Sequence, residues 1–205
     1  YFDEFIKNYI SENDKILDYG CGPGTFSVKL SSMTKNQVYG IDISKKFIEE
    51  CEILKKTLKI DNFHPQHVEG KKLPYDDNSF DLILLFDVIH HLEDINENFV
   101  EIKRVLKKSG KLVIYEPNKL NPLIALMHII DPIERGLLRV GTKKKYSNIL
   151  RKYEMIEIEQ KYSGIVVGPD SKIFSYLSKV LNYSFMYKIF GWLNPKIVIV
   201  AKNNS

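Results

Sequence analysis

The run Phe80-Asp81-Leu82-Ile83-Leu84-Leu85-Phe86 constrains the fold more than any other segment, because its apolar residues leave no face for water. A strand with one wet face alternates polar and apolar residues, whereas a strand covered on both sides is almost continuously apolar. The run therefore predicts a central strand of a parallel sheet, and parallel neighbours need crossover connections, usually helices. The flanking sequence supplies them. Residues 15–19 form a short apolar strand pattern that ends in Gly20, Gly22 and Gly24, and a helix can begin at Thr25. Residues 37–42 give a second strand, and Ser44 caps a helix carrying Phe47, Ile48, Cys51, Leu54 and Leu58. A third strand is expected at 64–68, a helix at 95–106 ended by Ser109-Gly110, and a further strand at 111–115. This alternation predicts an α/β fold in which helices cover both faces of a mostly parallel sheet.

After Pro117 the alternation is interrupted. Asn121-Pro122 precedes a short apolar helix at 123–130, and 135–142 has the character of a loop. A helix at 146–153, a strand at 155–161, an aromatic-rich helical stretch at 171–192 and a last strand at 196–201 follow. At 205 residues and 44% hydrophobic, the chain has the size of one domain with a substantial core, spanning residues 1–205. Its two cysteines, the lack of a membrane-length apolar run and the lack of a secretory leader predict free thiols and a cytoplasmic location. The chain opens on Tyr1 rather than Met, so a further N-terminal segment is expected. The net charge of +4 is spread over lysine pairs and one triple, Lys143 to Lys145. Such pairs usually lie on solvated helix faces, so no dedicated nucleic-acid surface is expected.

Chemistry concentrates where strands turn into helices. Asp18-Tyr19-Gly20-Cys21-Gly22-Pro23-Gly24 places glycines where positive φ is allowed and where a ligand can approach the backbone beside a helix N-terminus. A dinucleotide loop reads G-x-G-x-x-G; this one reads G-x-G-x-G, and Pro23 removes an amide donor, which speaks against a nicotinamide cofactor. Asp42 ends the second strand about twenty residues further on, the distance at which an acid accepts both hydroxyls of a ribose. Loop and acid together indicate a nucleoside cofactor.

These residues resemble the class I S-adenosylmethionine-dependent methyltransferases, in particular the type 11 group, over about residues 9–118. That family's first motif, (D/E)-x-G-x-G-x-G, matches Asp18, Gly20, Gly22 and Gly24. Its ribose-binding acid falls on Asp42, followed by Ile43. A third block, G-D-A-x-x-L-P-F and then S-F-D, aligns with Val68-Glu69-Gly70-Lys71-Lys72-Leu73-Pro74-Tyr75 and Ser79-Phe80-Asp81. Glu69 and Gly70 stand where the family has Asp and Ala, and Glu69 takes the position that accepts from the adenine amino group. The segment Phe86-Asp87-Val88-Ile89-His90-His91-Leu92 is similar to the family's L-H-H-L block, which implies that Phe86 and Asp87 line the methionine end of the cofactor. The resemblance implies a Rossmann-like methyltransferase fold with a seven-stranded sheet and an antiparallel final strand. It also implies S-adenosylmethionine as cofactor, with Asp18, Gly20, Cys21, Gly22, Gly24, Asp42, Ile43, Glu69, Gly70, Phe86 and Asp87 around it.

His90 and His91 are the catalytic candidates, since an imidazole can take a proton from a hydroxyl acceptor; the competing role is a structural one beside the cofactor loop. His64 and His67 lack companions at metal-ligand spacing, so no metal is expected. The acceptor should be chosen by the segments outside the shared core, 118–142 and 163–195, which are expected to form lids. Their apolar residues point to a small-molecule acceptor of hydrophobic, lipid or glycan type, with 173–192 as a candidate for peripheral membrane contact. An RNA or protein methyltransferase using Lys143 to Lys145 is the alternative, and a non-catalytic cofactor-binding protein is a third reading. The sequence does not set the oligomeric state or separate O-, N- and C-methylation.

Overall fold

The computed structural model describes residues 7–70, 72–131, 133–163, 176 and 188–204. Its frame is a seven-stranded sheet built from β1 (Lys15–Tyr19), β2 (Gln37–Asp42), β3 (Phe63–His67), β4 (Phe80–Phe86), β5 (Leu106–Pro117), β6 (Met155–Ser163) and β7 (Lys196–Asn203). The strand order is β3-β2-β1-β4-β5-β7-β6. Neighbours from β3 to β5 are parallel, while β7 runs antiparallel to both β5 and β6. This is the Rossmann-like arrangement with an antiparallel final strand. The chain leaves β1 towards β2 on one side and returns to β4 on the other, so a crevice opens at the C-terminal ends of β1 and β4.

The apolar run of β4 divides between the two faces. Leu82 and Leu84 join α1 (Thr25–Met33) and α2 (Lys45–Leu58) through Val28, Leu30 and Cys51. Ile83 and Leu85 join α3 (Ile95–Val105) and α6 (Lys143–Lys152) through Phe99, Ile102, Tyr146 and Leu150. All of these residues are buried, each large side chain contributing roughly 1.5–3 kcal/mol of transfer free energy. The helices start where side chains satisfy their first amides: Ser44 accepts from Phe47, Asp94 from Asn96 and Glu97, Asn121 from Leu123 and Ile124, and Thr142 from Lys145.

Several expectations change. The helix before β5 stops at Val105, and Ser109-Gly110 lies inside β5, where Ser109 takes φ 63°. Leu106 pairs with Phe80 ahead of an irregularity in the β4 pairing, so the chain is already extended there. Residues 135–142 are not a loop: a 3-10 turn (Ile133–Arg135) runs into the short helix α5 (Gly136–Val140). The helix after it begins three residues earlier than Tyr146, because Thr142 caps it. Of the aromatic stretch at 171–192, residues 188–190 are helical and Gly191–Leu193 form a 3-10 turn. Most of that stretch, including Phe185, and Phe2, Phe5 and Ile6 near the start, lie outside the described residues. No helix among the described residues is long and apolar enough to cross a membrane.

Gly20 shows how tightly the loop seats on the turn after β4. Its φ is +73°, and an added Cβ would overlap Val88 Cγ2. Gly20→Ala is expected to destabilise the protein by about 2–4 kcal/mol, combining left-handed strain with overpacking. Chemical denaturation followed by circular dichroism would measure it.

Candidate functional site

The crevice has two flanks. On the first, the backbone of Gly20 and Cys21 returns towards β2, both amides donating to the Ile41 carbonyl at 2.8 and 2.9 Å. Gly22 (φ +53°) then donates its amide to Asp42 Oδ2 at 2.9 Å, while Oδ1 accepts from Ser44 at 2.8 Å. Asp42 is thus oriented by two backbone amides, and each oxygen keeps accepting capacity. Nothing lies within 4 Å of a Cβ built on Gly22, whereas at Gly24 (φ +79°) a Cβ would press on Cys51 Sγ. The loop is therefore packed at both ends and open at its middle glycine. Underneath, the thiols of Cys21 and Cys51 point at the Gly22 carbonyl, at 3.7 and 3.3 Å. Their mutual hydrogen bond, with burial, pushes the Cys21 thiol far up, and the same bond, against burial, holds Cys51 below its ordinary value.

Asp18 lies below the loop, 2% exposed, and accepts from the Ser27 hydroxyl on α1. Burial pushes its carboxyl from 3.8 up to about 7; the Ser27 hydrogen bond opposes this and the charge of Asp42 adds to it.

At the end of β3, Val68 donates to the Asp42 carbonyl at 3.1 Å, which sets Glu69 and Gly70 (φ +82°) beside Asp42. The Glu69 side chain is exposed and pairs with Lys45 at 3.2 Å. Ile43 is 78% exposed, an unusual place for a large apolar side chain. The following loop is tied to α3. Leu73 donates its amide to Glu101, and the Arg104 guanidinium reaches the carbonyls of Leu73 and Tyr75 as well as Asp77.

The second flank is the turn after β4. Phe86 packs edge-on against Phe26 of α1 and Tyr115 of β5, with centroids 4.5 and 5.6 Å apart. Asp87 takes φ 52° and pairs with Lys196 of β7. Next comes a 3-10 turn (Ile89–His91), held by a residue that the sequence reading did not single out. Glu116, fully buried near the end of β5, accepts from the Val88 and Ile89 amides, both at 2.7 Å, through Oε1. Its Oε2 accepts from His90 Nδ1 at 2.6 Å and from the Tyr146 hydroxyl at 3.4 Å.

His90 and His91 therefore differ. His90 is buried and bonded at both nitrogens, to Glu116 and, at 3.1 Å, to Glu134. Burial lowers its affinity for a proton, but the hydrogen bonds and charges of Glu116 and Glu134 carry its pKa above 6.5 on balance. The His91 side chain is 38% exposed, and burial and its charged neighbour His90 lower its pKa. His128 of α4 (Pro122–Ile130) and Glu134 complete this flank, 3.3 Å apart. Glu116, His128 and Glu134 lay outside the sequence reading. The one available signal was Glu116, a lone acid closing the apolar strand Leu112-Val113-Ile114-Tyr115. The other two reach the site only through the path of 118–142. His64 and His67 stand apart, bonded to Gln37 and to the Ile43 carbonyl.

Sheet order and glycine loop define an α/β domain of Rossmann-like topology with a cofactor crevice at the C-terminal ends of its strands. A family model described as "Methyltransferase domain" matches residues 10–154. The chain belongs to that family of methyltransferase domains. It is similar to an uncharacterized methyltransferase of Schizosaccharomyces pombe, 33% identical over 58% of this chain and 46% of the relative. It is also similar to a demethylmenaquinone methyltransferase of Staphylococcus epidermidis, 31% identical over 72% of this chain and 61% of the relative. The chain thus spans about half to two thirds of the length of these relatives. Among solved structures, a SAM-dependent methyltransferase from Aquifex aeolicus superposes with TM-score 0.71 at 19% identity, covering 98% of this chain and 88% of the other.

The perturbed Asp18 carboxyl sets a pH dependence. The unfolded chain loses this proton near 3.8 and the folded protein near 7, so between these values the folded state binds more protons. Its contribution therefore lowers stability as pH rises through that window. Asp18→Asn keeps an acceptor for Ser27 and removes the ionisation. Thermal melting of the cofactor-free protein should show a flatter fall in Tm over about pH 5–7 for the variant than for the unmodified chain.

Proposed function

We propose that this chain transfers the methyl group of S-adenosylmethionine to a small hydrophobic acceptor of the quinone or lipid type. The observation that carries this reading is the outer face of α4. Ile124 and His128 are its buried residues, while Leu123, Leu126, Met127, Ile129 and Ile130 are exposed. The helix is tied through His128 and Glu134 to the turn after β4, so this apolar surface stands beside the flank that faces the crevice. Segment 118–142 acts as a lid on the acceptor in this reading, and most of 163–195 lies outside the described residues. The relative of Staphylococcus epidermidis, named for demethylmenaquinone, supports the same acceptor class. Peripheral contact with a membrane follows from the same surface, with Ile189 and Trp192 exposed at the second segment.

In this reading, Asp42 accepts the ribose hydroxyls and the open space at Gly22 admits the cofactor against the backbone. Asp18, Gly20, Cys21 and Gly24 shape the loop, Ile43 and Gly70 flank the adenine, Glu69 accepts from its amino group, and Phe86 and Asp87 bound the methionine end. The sulfonium already activates the methyl group, so the protein has mainly to align the acceptor with it and exclude water. His91, the exposed member of the pair, serves the acceptor; His90 is a positioning residue.

A screen with isotope-labelled methyl donor over lipid, quinone, glycan and RNA extracts tests the acceptor. Label in the lipid or quinone fraction is expected. Label in RNA, with affinity falling steeply as salt is added and dependent on Lys143 to Lys145, would replace this reading with the nucleic-acid one.

Two variants separate the flanks. Asp42→Ala is expected to weaken S-adenosylmethionine binding by roughly 1.5–3 kcal/mol in calorimetry while the protein stays folded. His91→Ala should lower kcat on an acceptor with a proton to lose, and leave cofactor affinity within a few-fold. Loss of cofactor binding in parallel with activity would make His91 structural.

A further inference from the structure

Three imidazoles converge on one carboxylate beside the crevice. His90 Nε2 and His128 Nε2 lie 3.1 and 3.3 Å from Glu134 Oε2, and His91 Nε2 lies 3.9 Å from Oε1. In two of the rings the other nitrogen is taken. His90 Nδ1 donates to Glu116, and His128 Nδ1 donates at 2.7 Å to the Ile124 carbonyl, which can only accept. A neutral ring with its proton on Nδ1 turns the Nε2 lone pair towards Glu134, and a lone pair facing a carboxylate oxygen is repelled. Positive charge has to stand between them. A proton on a ring supplies it in the metal-free protein. A single divalent cation meets the same need with every ring neutral.

We propose that His90, His91 and Glu134 bind a divalent first-row transition metal ion of the zinc, cobalt or iron(II) kind, with His128 positioning Glu134. One ring nitrogen of each histidine and a carboxylate oxygen of Glu134 lie within 4.8 Å of one another. Ligands at bond lengths of about 2.0–2.1 Å sit roughly 3–3.4 Å apart around the ion. The 3.1 Å between His90 and Glu134 already has this value, and a rotation of the exposed His91 ring brings in the third. The contact from His90 Nδ1 to Glu116 is the carboxylate partner that orients metal-binding histidines and fixes their tautomer. The backbone holds the set together as well: a Cβ on Gly136 would collide with the His90 carbonyl, so the segment carrying Glu134 is seated directly on the histidine turn. Two imidazoles and one carboxylate suit a borderline metal and not magnesium or calcium, which take oxygen ligands. Three protein ligands leave positions open on the side where His91 is exposed and Glu134 half-buried, the composition of a site that meets solvent or substrate. The metal site stands on this geometry alone; a role for it in handling the acceptor rests on the reading of the site given above.

The test uses the full chain, stripped with a chelator and titrated with Co2+ under visible spectroscopy, alongside melting curves and S-adenosylmethionine calorimetry. One Co2+ per chain is expected, giving ligand-field bands that Zn2+ displaces, with a rise in Tm. Glu134→Gln and His91→Ala should abolish the bands, and His128→Ala should weaken binding by about tenfold or more. Each variant should still melt cooperatively and bind S-adenosylmethionine within a few-fold. His67→Ala, which removes a histidine lying 3.8 Å from Glu69, should change nothing. Absence of stoichiometric bands in the folded protein, their survival in both Glu134→Gln and His91→Ala, or their loss in His67→Ala would each overturn the proposal. Intact metal binding with no S-adenosylmethionine binding would leave the metal site standing and count against the assigned cofactor crevice.

Discussion

The turn after β4 depends on the buried carboxylate of Glu116. A carboxylate removed from water is costly unless its lone pairs are satisfied, and here four donors do so: two backbone amides, one imidazole and one phenol. The four donors serve three constraints. The amides of Val88 and Ile89 fix the turn after β4, His90 fixes the neighbouring helical segment through Glu134, and Tyr146 fixes α6. Loss of the carboxylate would leave two backbone amides buried without acceptors, a penalty of about 1–3 kcal/mol each. Burial and the nearby negative charge push the Tyr146 hydroxyl well above its ordinary value, so it stays a donor. With its four donors in place, Glu116 has a positioning role. It organises the groups that face the crevice.

The cofactor flank follows the opposite design. Its geometry is mostly backbone, fixed by positive-φ glycines and by amides that return to β2. Its two acids are held close: Asp42 adds to the upward shift of Asp18. Burial is the larger cause of that shift, and the Ser27 hydrogen bond opposes it.

The legible part of this molecule was the part in which local sequence and local structure agree. The apolar run of β4, the glycines of the loop and the cap Ser44 each act within a few residues, so their geometry could be read directly. The helix at 136–140 escaped because Arg135 and Gly136 carry weak helical signals; its start is set by contact of Gly136 with the His90 carbonyl. Ser109-Gly110 misled for the reverse reason. A strong stop signal falls inside a strand whose path is imposed by pairing with β4. The acid at Glu116 was visible but its partners were not, since His90, Tyr146 and the β4 turn come from three separate segments. The His-Glu134 contact joins residues 44 positions apart through a segment whose course no periodicity reveals.

That contact also bears on why the apolar face of α4 is exposed at all. A helix that only covers a sheet buries one stripe and turns charge towards water. Here the inward stripe is Ile124 and His128, and the outward residues are again apolar, with no acid in the first turn. Covering the sheet does not require Leu123, Met127 or Ile130, and a contiguous apolar surface in water favours association. Such a face is maintained where it meets something apolar. Since His128 and Glu134 pin this helix to the turn that bounds the crevice, the apolar surface and the polar cluster move as one body. Under the proposed function, a change of acceptor falls on residues 118–142, while the glycine loop on the other flank can remain as it is.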